Sequence, residues 1–194
     1  MPAFPLILAS SSPRRRQLLT EAGYEFTVIP PSETAEDGQP PRGGSELPQQ
    51  LVARLGLQKA EDVAPRVERG IIIGCDTVAE CEGQILGKPA DREHARQMLE
   101  LLRGRRHVVH SGLCLWRRPD DVHRVEVETT TLIMDPISDG ALAAYLATGD
   151  WQGKAGAFGY QDGLDWVHIL EGSESNVVGL PMELLRRMLA SLKD

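Results

Sequence analysis

The stretch LILASSSPRRR, residues 6–16, determines how the fold begins. Its first four residues are apolar, which is typical of a short buried strand. Ser12 is a favourable helix N-cap, and Pro13 suits the first helical position because the backbone N–H there has no intrahelical partner. The stretch therefore predicts a strand at residues 6–9 that passes directly into a helix, which we expect to end near Gly23.

Three arginines follow the cap, where the helix dipole already places partial positive charge. Exposed cations at that end cost about 0.3–1 kcal/mol each, and a bound anion would reverse the sign. Serine hydroxyls, backbone N–H groups and guanidinium groups together suit a phosphate. Ser10, Ser12, Arg14 and Arg15 therefore indicate a phosphate-binding turn. The alternative is that the arginines are solvated or pair with acidic residues elsewhere.

The rest of the chain predicts helices and strands that mix without strict alternation. This pattern favours an α/β fold, or a mixed α+β fold, around a mixed sheet. No repeat or linker divides residues 1–194, so we expect a single domain. Strands are predicted at residues 26–29, 71–73, 85–86, 107–116, 122–133 and 166–170, helices at residues 47–64, 91–104, 138–149 and from 181 onward, and loops at residues 30–46 and 153–163.

The composition excludes several classes of function. The formal net charge is −7, whereas proteins that bind nucleic acid or anionic membranes favour positive surfaces. No apolar run reaches the length of a membrane span, and the N-terminus lacks the pattern of a signal peptide. The three cysteines form no Cys-x-x-Cys pair, which favours reduced thiols. We therefore expect a cytoplasmic protein that binds neither nucleic acid nor membranes.

The segment IIIGCDT, residues 71–77, predicts a buried strand that ends at Gly74 and is followed by a carboxylate, Asp76. Ligands of open sheets bind outside the carboxyl ends of strands. Asp76 could therefore hold Mg²⁺ or accept a proton from water. An Asp that hydrogen-bonds its own turn explains the residue equally well.

Two further segments place a lysine beside glycines: LGKP, residues 86–89, and GKAGAFGYQ, residues 153–161. Small residues let the backbone approach a ligand closely, so Lys88 and Lys154 are candidates for phosphate contact. Neither segment matches the Walker pattern. The alternatives are a surface lysine and a flexible loop. Glu33, in the acidic loop, is either a second metal ligand or a solvated loop residue.

Other catalytic patterns find no support in the sequence. His107 and His110 fall on opposite faces of a predicted strand, which argues against a shared metal. No Gly-x-Ser-x-Gly elbow and no Cys–His pairing stands out, so nothing indicates a covalent hydrolase.

Taken together, five segments resemble the Maf family of nucleoside triphosphate pyrophosphatases. They are LASSSPRR (8–15), GCDTV (74–78), GKP (87–89), KAGAFGYQ (154–161) and NVVGLP (176–181). The resemblance implies cleavage of a nucleoside triphosphate between its α- and β-phosphates, giving a monophosphate and pyrophosphate, with a divalent metal such as Mg²⁺ or Mn²⁺. It also implies a curved mixed sheet with flanking helices and two lobes around a groove, shared with inosine triphosphate pyrophosphatases.

The family resemblance implies a role for each residue that matches a family motif. Asp76 resembles the proton acceptor that activates water, and Glu33 resembles its partner at the metal site. Arg14, Thr77 and Gln161 resemble the positions that select the base. The basic residues that would hold the triphosphate are Arg14, Arg15, Lys59, Lys88 and Lys154.

The segment at residues 154–161 resembles the branch that acts on dTTP and UTP more than the 7-methyl-GTP branch. Gly153, Asp162 and Ser32 depart from the family, in which an acidic residue, a glycine and an aspartate are usual at these positions. Two alternatives stay open: a 7-methyl-GTP pyrophosphatase, and a nucleotide-binding regulator of cell division without turnover. The expected partner is the nucleotide substrate, and a homodimer is an open expectation.

Overall fold

The computed structural model describes residues 4–36 and 46–192. The strands are β1 (Leu6–Ala9), β2 (Phe26–Val28), β3 (Gly70–Cys81), β4 (Gln84–Leu86), β5 (Arg106–Arg118), β6 (Val122–Met134) and β7 (Val167–Glu171). The helices are α1 (Pro13–Glu21), α2 (Glu33–Glu36), α3 (Pro48–Val63), α4 (Arg92–Leu102), α5 (Asp139–Thr148), α6 (Glu174–Val178) and α7 (Met182–Ser191). Short 3₁₀ turns lie at Ala64–Arg66, Ala155–Ala157 and Tyr160–Asp162.

The strands form one seven-stranded mixed sheet in the order β2-β1-β3-β5-β6-β7, with β4 paired to β3. β1 is parallel to both β2 and β3. The other pairs, β3–β4, β3–β5, β5–β6 and β6–β7, are antiparallel. Parallel neighbours need a crossover connection, and α1 supplies the one between β1 and β2.

One edge of β3 changes its neighbour along its length. β1 pairs with β3 over residues 71–74, and β4 pairs with it over residues 79–81. The other edge is occupied by β5 over residues 70–80. Within the described chain, residues 75–78 therefore have a strand partner on one edge only, and a gap opens in the sheet between β1 and β4.

The prediction that this strand ends at Gly74 is wrong. β3 continues to Cys81 because the long antiparallel pairing with β5 supplies hydrogen-bond partners beyond the last parallel contact with β1. Asp76 accordingly lies inside a strand, opposite Gly112, so its interpretation as a turn residue is also wrong.

Alternate side chains of the central strands enter separate cores, as expected for a sheet covered on both faces. Helices α1 and α7 cover one face, over a cluster that includes Leu8, Leu19, Ile73, Leu113 and Leu185. Helix α3 covers the other face, over Ile7, Ala60, Val63, Ile72 and Cys114. A third cluster forms the second lobe with α4 and α5, and includes Leu99, Val109, Leu132, Leu142 and Phe158.

Helix α3 packs directly against the backbone of the sheet. A Cβ atom added to Gly112 would lie 2.0 Å from the carbonyl oxygen of Val52, and one added to Gly74 would lie 2.3 Å from that of Gly56. Any side chain at these contacts would force the helix outward. The close packing also brings Lys59, three residues beyond Gly56, towards β3.

The predicted fold class is confirmed, with a mixed sheet, helices on its faces and two lobes around a groove. Residues 33–36 form α2 where a loop was predicted, and residues 37–45 of that loop lie outside the described residues. Helix α6 was not predicted, since its five residues are too few to show periodicity. Among the described helices, none has the length and apolar character to span a membrane.

Candidate active site

A groove of about 810 Å³ lies where β3 lacks its second neighbour. One wall, which we call the turn wall, consists of residues 10–15 between β1 and α1. The opposite wall, which we call the glycine wall, consists of residues 87–88 and 152–161. Asp76–Val78 of β3 and residues 177–179 at the end of α6 lie between the two walls. This position is a topological switch point, where open sheets bind ligands.

The groove is cationic although the whole chain is acidic. Its lining contains five basic side chains, those of Arg14, Arg15, Lys59, Lys88 and Lys154. Among the lining residues that the structure describes, Asp76 is the only acid. With a formal net charge of −7 for the chain, this local reversal of sign indicates a polyanionic ligand.

The turn wall is built by the predicted helix cap. The Ser12 hydroxyl accepts from the backbone N–H of Arg15 at 3.5 Å, and the Ser10 hydroxyl accepts from the backbone N–H of Ser12 at 3.2 Å. The predicted N-cap is therefore confirmed. Ser10 is buried, so the turn is fixed from beneath.

Arg15 is only 8% exposed and its guanidinium joins three parts of the molecule. Nε donates to the carbonyl oxygen of Gly179 at 2.7 Å, Nη1 to the Ser10 hydroxyl at 3.2 Å, and Nη2 to the Thr77 hydroxyl at 3.3 Å. These contacts connect α1 with β3 and with the end of α6. The predicted alternative that this arginine is solvated is wrong.

Arg14, the preceding residue, is half-buried and bridges the groove. Its Nη2 atom donates to the carbonyl oxygen of Gly153 at 2.9 Å. The turn wall and the glycine wall are thus linked by a side chain that solvent reaches. Adjacent arginines therefore have different environments, one buried in a network and one at the mouth of the groove.

Asp76 forms an ion pair with Lys59 at the centre of the groove. Lys59 Nζ lies 2.8 Å from Asp76 Oδ1, and the side chains are 4% and 16% exposed. Lys59 reaches this position because α3 packs on the glycines of β3 and β5. The second carboxylate oxygen of Asp76 makes no hydrogen bond within the described part of the chain.

The glycine wall is made of irregular backbone. Gly153 and Gly156 have φ values of 68° and 70°, in the left-handed region that glycine tolerates. The backbone N–H of Gly156 donates to the carbonyl oxygen of Gly87 at 3.1 Å, which holds the segments bearing Lys88 and Lys154 together. Gln161 is exposed in the last 3₁₀ turn.

Glu33 is separate from the other predicted site residues. It lies exposed at the start of α2 and is not among the residues that line the groove. In residues 4–36 and 46–192, no group of three or more His, Cys, Asp and Glu side chains could hold a metal ion alone. The assignment of Glu33 to a metal stays a prediction.

Two groups at the site were not identified from the sequence. The Thr77 hydroxyl lies 2.8 Å from the hydroxyl of Ser111 on β5, and Gly179 supplies a carbonyl oxygen to Arg15. Only the strand register places Ser111 opposite Thr77, and no sequence motif marks it.

Burial raises the pKa of the neighbouring Cys75 thiol, so that thiol is protonated at neutral pH and is no nucleophile.

Two histidines of β5 lie behind the groove and are not arranged as metal ligands. Burial lowers the pKa of His107 to about 4, and its ring packs edge-on against Phe158 at 5.3 Å. Burial also lowers the pKa of His110, whose Nδ1 atom lies 2.9 Å from the Thr129 hydroxyl. The neutral rings therefore belong to the packing of the second lobe.

Fold and site together define an α/β protein with a cationic groove at a switch point in its sheet. The family model described as Maf-like protein matches residues 5–192. The chain belongs to this family.

The chain is similar to curated proteins along nearly its full length. It is 52% identical over 190 residues to a dTTP/UTP pyrophosphatase of Rhodopirellula baltica, covering 97% of this chain and 82% of that protein. It is 38% identical to a dTTP/UTP pyrophosphatase of Ruminiclostridium cellulolyticum, covering 97% and 96%. By name, these family members are nucleotide pyrophosphatases, which agrees with the enzyme class expected from the sequence.

A solved structure has a similar fold. The Staphylococcus aureus Ham1 protein matches with a TM-score of 0.54 and 15% identity, covering 96% of this chain and 98% of that one. At this identity the likeness concerns the fold alone. It agrees with the two-lobed mixed sheet predicted from the sequence.

Proposed function

We propose that this protein is a nucleoside triphosphate pyrophosphatase that hydrolyses dTTP and UTP to the monophosphate and pyrophosphate. The observation that carries the proposal is that five basic side chains and one carboxylate line a single groove of an otherwise acidic chain. Phosphoryl substitution needs charge neutralisation and alignment more than covalent catalysis, and this lining supplies both. The names of the relatives support the choice of dTTP and UTP.

The proposed reaction begins with attack of water on the α-phosphorus. Asp76 accepts the proton of the attacking water, and a new P–O bond forms. The bond between the α-phosphorus and the bridging oxygen breaks, and its electron pair leaves with pyrophosphate. Arg14, Lys88 and Lys154 stabilise the negative charge that grows on this leaving group.

Lys59 orients Asp76, the proposed general base. Its ammonium holds Asp76 Oδ1 at 2.8 Å and leaves Oδ2 directed to no other described group. A carboxylate fixed through one oxygen keeps a defined geometry for proton transfer through the other. Asp76 lines the same groove as both walls, so we expect substrate phosphates held by the walls to lie beside it.

A divalent metal fits the donor chemistry of this groove. Mg²⁺ is commonly held by one or two carboxylates together with substrate phosphates, and Asp76 is a hard oxygen donor of that kind. Asp76 and the bound triphosphate would hold the ion, with Glu33 as the further ligand that the family resemblance suggests. When bound, the ion neutralises phosphate charge and makes water a better nucleophile.

The nucleobase would lie against the glycine wall. Tyr160 of this wall lines the groove with a half-buried ring, Phe158 lines it with a largely buried ring, and Gln161 has an exposed amide. Aromatic rings suit a flat nucleobase, and an amide can pair with its polar edge. Arg14, Thr77 and Gln161 are the residues that we propose to influence the choice of base.

The test is a product assay on the purified full chain. The protein is incubated with dTTP, UTP, CTP and 7-methyl-GTP, each with Mg²⁺, with Mn²⁺ or with excess chelator. The proposal expects stoichiometric pyrophosphate and monophosphate from dTTP and UTP, and no turnover with chelator. Orthophosphate as the first product contradicts it. Tight nucleotide binding without any product over hours favours a regulator, and preference for 7-methyl-GTP favours the other branch.

A further inference from the structure

Thr77, at the floor of the groove, contacts three protein groups through one hydroxyl. Its Oγ1 atom lies 2.8 Å from the hydroxyl of Ser111, 3.3 Å from Nη2 of Arg15 and 3.3 Å from the carbonyl oxygen of Gly179. Ser111 is fully buried and lies directly opposite Thr77 in the register of β3 and β5. The proposed reaction gives Ser111 no role.

One arrangement of the hydrogens lets all three of these hydrogen bonds form at once. A carbonyl oxygen only accepts, so Thr77 donates its hydrogen to Gly179. A guanidinium only donates, so Thr77 accepts from Arg15. With the single hydrogen of Thr77 directed to Gly179, Thr77 accepts from the Ser111 hydroxyl in this arrangement. The one donor and both acceptor positions of the Thr77 hydroxyl are thus filled by protein groups.

The Gly179 carbonyl connects this hydroxyl to the walls of the groove. It accepts from Nε of Arg15 at 2.7 Å as well as from Thr77, and residues 177–179 line the groove. Helix α6 is held from its other side by Asn176, whose Nδ2 donates to the carbonyl oxygen of Val109 at 3.1 Å. A displacement of Thr77 would therefore move both Arg15 and the end of α6.

We propose that Thr77 and Ser111 act as a pair of positioning residues, in which the Ser111 hydroxyl aligns Thr77 and Thr77 aligns Arg15 and Gly179. Thr77 then influences substrate selection indirectly, and this influence depends on Ser111. Direct contact between the Thr77 hydroxyl and a nucleotide would require one of its three protein bonds to break. This inference rests on the proposed function of the groove.

The experiment is a double-mutant cycle of Thr77→Val, Ser111→Ala and their combination. It measures kcat and KM for dTTP and for 7-methyl-GTP. Both single variants are expected to shift the ratio of the two kcat/KM values in the same direction by about three- to tenfold, the size that one buried hydrogen bond supports. The double variant is expected to shift the ratio no further than the larger single variant. Thr77→Ser, which keeps the hydroxyl, is expected to stay near wild type.

The control is Ser191→Ala, which removes a hydroxyl bonded to the Met188 carbonyl inside α7, remote from the groove. A wild-type ratio in Ser111→Ala beside a shifted ratio in Thr77→Val would establish direct contact and overturn the proposal. Lowered melting temperatures with unchanged ratios in both variants would also overturn it, because the pair would then be merely structural.

The failure of the proposed function has a different signature. If wild-type protein releases no pyrophosphate from any nucleotide, the same cycle is measured on the Kd of dTTP by calorimetry. Equal, non-additive weakening in Thr77→Val and Ser111→Ala supports the positioning pair without catalysis. A wild-type Kd in Ser111→Ala contradicts it.

Discussion

The turn wall and the glycine wall face the same ligand site but are constructed in opposite ways. The turn wall is a capped helix start whose key cation, Arg15, is buried and bonded to Ser10, Thr77 and Gly179. The glycine wall is irregular backbone with left-handed residues and an exposed Gln161. The turn wall therefore has its geometry fixed by side-chain hydrogen bonds before a ligand binds, which lowers the free-energy cost of orienting that ligand.

Because the two walls are built differently, substitutions in them should have effects of different size. The buried groups of the turn wall are hydrogen-bonded to one another, and Asp76 of β3 is paired with Lys59. After a substitution among these residues, the remaining groups have little freedom to rearrange. Arg14, in contrast, connects the two walls by a bond that water can replace. We therefore expect large effects from substitutions at Asp76 and Arg15, and smaller effects from substitutions at residues that pack behind the two walls.

The largest effect is expected from Asp76→Asn. This change keeps the shape of the side chain and removes the proposed base, so kcat should fall by about 10²–10⁴-fold. Pyrophosphate release from dTTP measures it, and calorimetry should show that the nucleotide still binds. Asp120→Asn, at an exposed ion pair with Arg117, is the matched control and should retain activity. Wild-type turnover in Asp76→Asn would refute the role of base.

The contrast between adjacent arginines gives the second prediction. Arg15→Lys keeps the charge but cannot reproduce three bonds from one planar group, so kcat/KM should fall about tenfold or more. Arg14→Lys keeps a flexible cation at the half-buried position and should cost less. Steady-state kinetics on both variants compare them. Equal losses, or a greater loss in Arg14→Lys, would show that the buried network is not what distinguishes the turn wall.

The third prediction concerns the packing beneath Lys59. Gly112→Ala places a Cβ atom 2.0 Å from the carbonyl oxygen of Val52, so α3 must move and stability should fall by about 1–3 kcal/mol. Gly140→Ala is the control, because this position is within α5 and a Cβ atom there meets nothing nearer than 3.8 Å. It should gain about 0.5–1 kcal/mol. Urea unfolding measures both, and an unaffected Gly112→Ala would contradict the close packing.

The smallest effect is expected from pH, through His107 behind Phe158. The pKa of His107 is lowered by burial to about 4, so between pH 6.5 and 4 the unfolded chain binds more protons than the folded chain. Stability therefore falls as pH falls through this window, by about 1–2 kcal/mol between pH 6.5 and 5 from this group.

His107→Phe should reduce this pH dependence, with a residual part from His110, whose pKa is lowered in the same direction. Unfolding free energies at pH 5, 6 and 7 measure the slope. His123→Phe, at an exposed ring stacked on Trp116, should keep the wild-type slope. A wild-type slope in His107→Phe would show that the buried ring is not responsible.

Local chemistry allowed part of the fold to be predicted from the sequence. The strand at residues 6–9, the Ser12 cap and the start of α1 depend on neighbours within a few positions, and the structure confirms them. The caps Asp91 and Ser138 were predictable for the same reason. These features need no knowledge of the tertiary contacts.

Other features depend on register and could not be predicted in this way. The end of β3 was placed at Gly74 because the sequence does not reveal that β5 pairs with the strand as far as Glu80. Ser111 gains its importance only from lying opposite Thr77, and Gly112 gains its importance only from the close packing of α3 against its backbone. The burial of Arg15 likewise depends on Gly179, 164 positions away in the sequence.

In the proposed reaction, water attacks the α-phosphorus of a triphosphate held between the two walls. Hydrolysis of dTTP in ¹⁸O-labelled water, followed by mass spectrometry of the products, shows which phosphorus is attacked. We expect one labelled oxygen in the monophosphate and none in pyrophosphate. Label in pyrophosphate, or in released orthophosphate, would contradict the proposed reaction, because the attack would then fall on a different phosphorus.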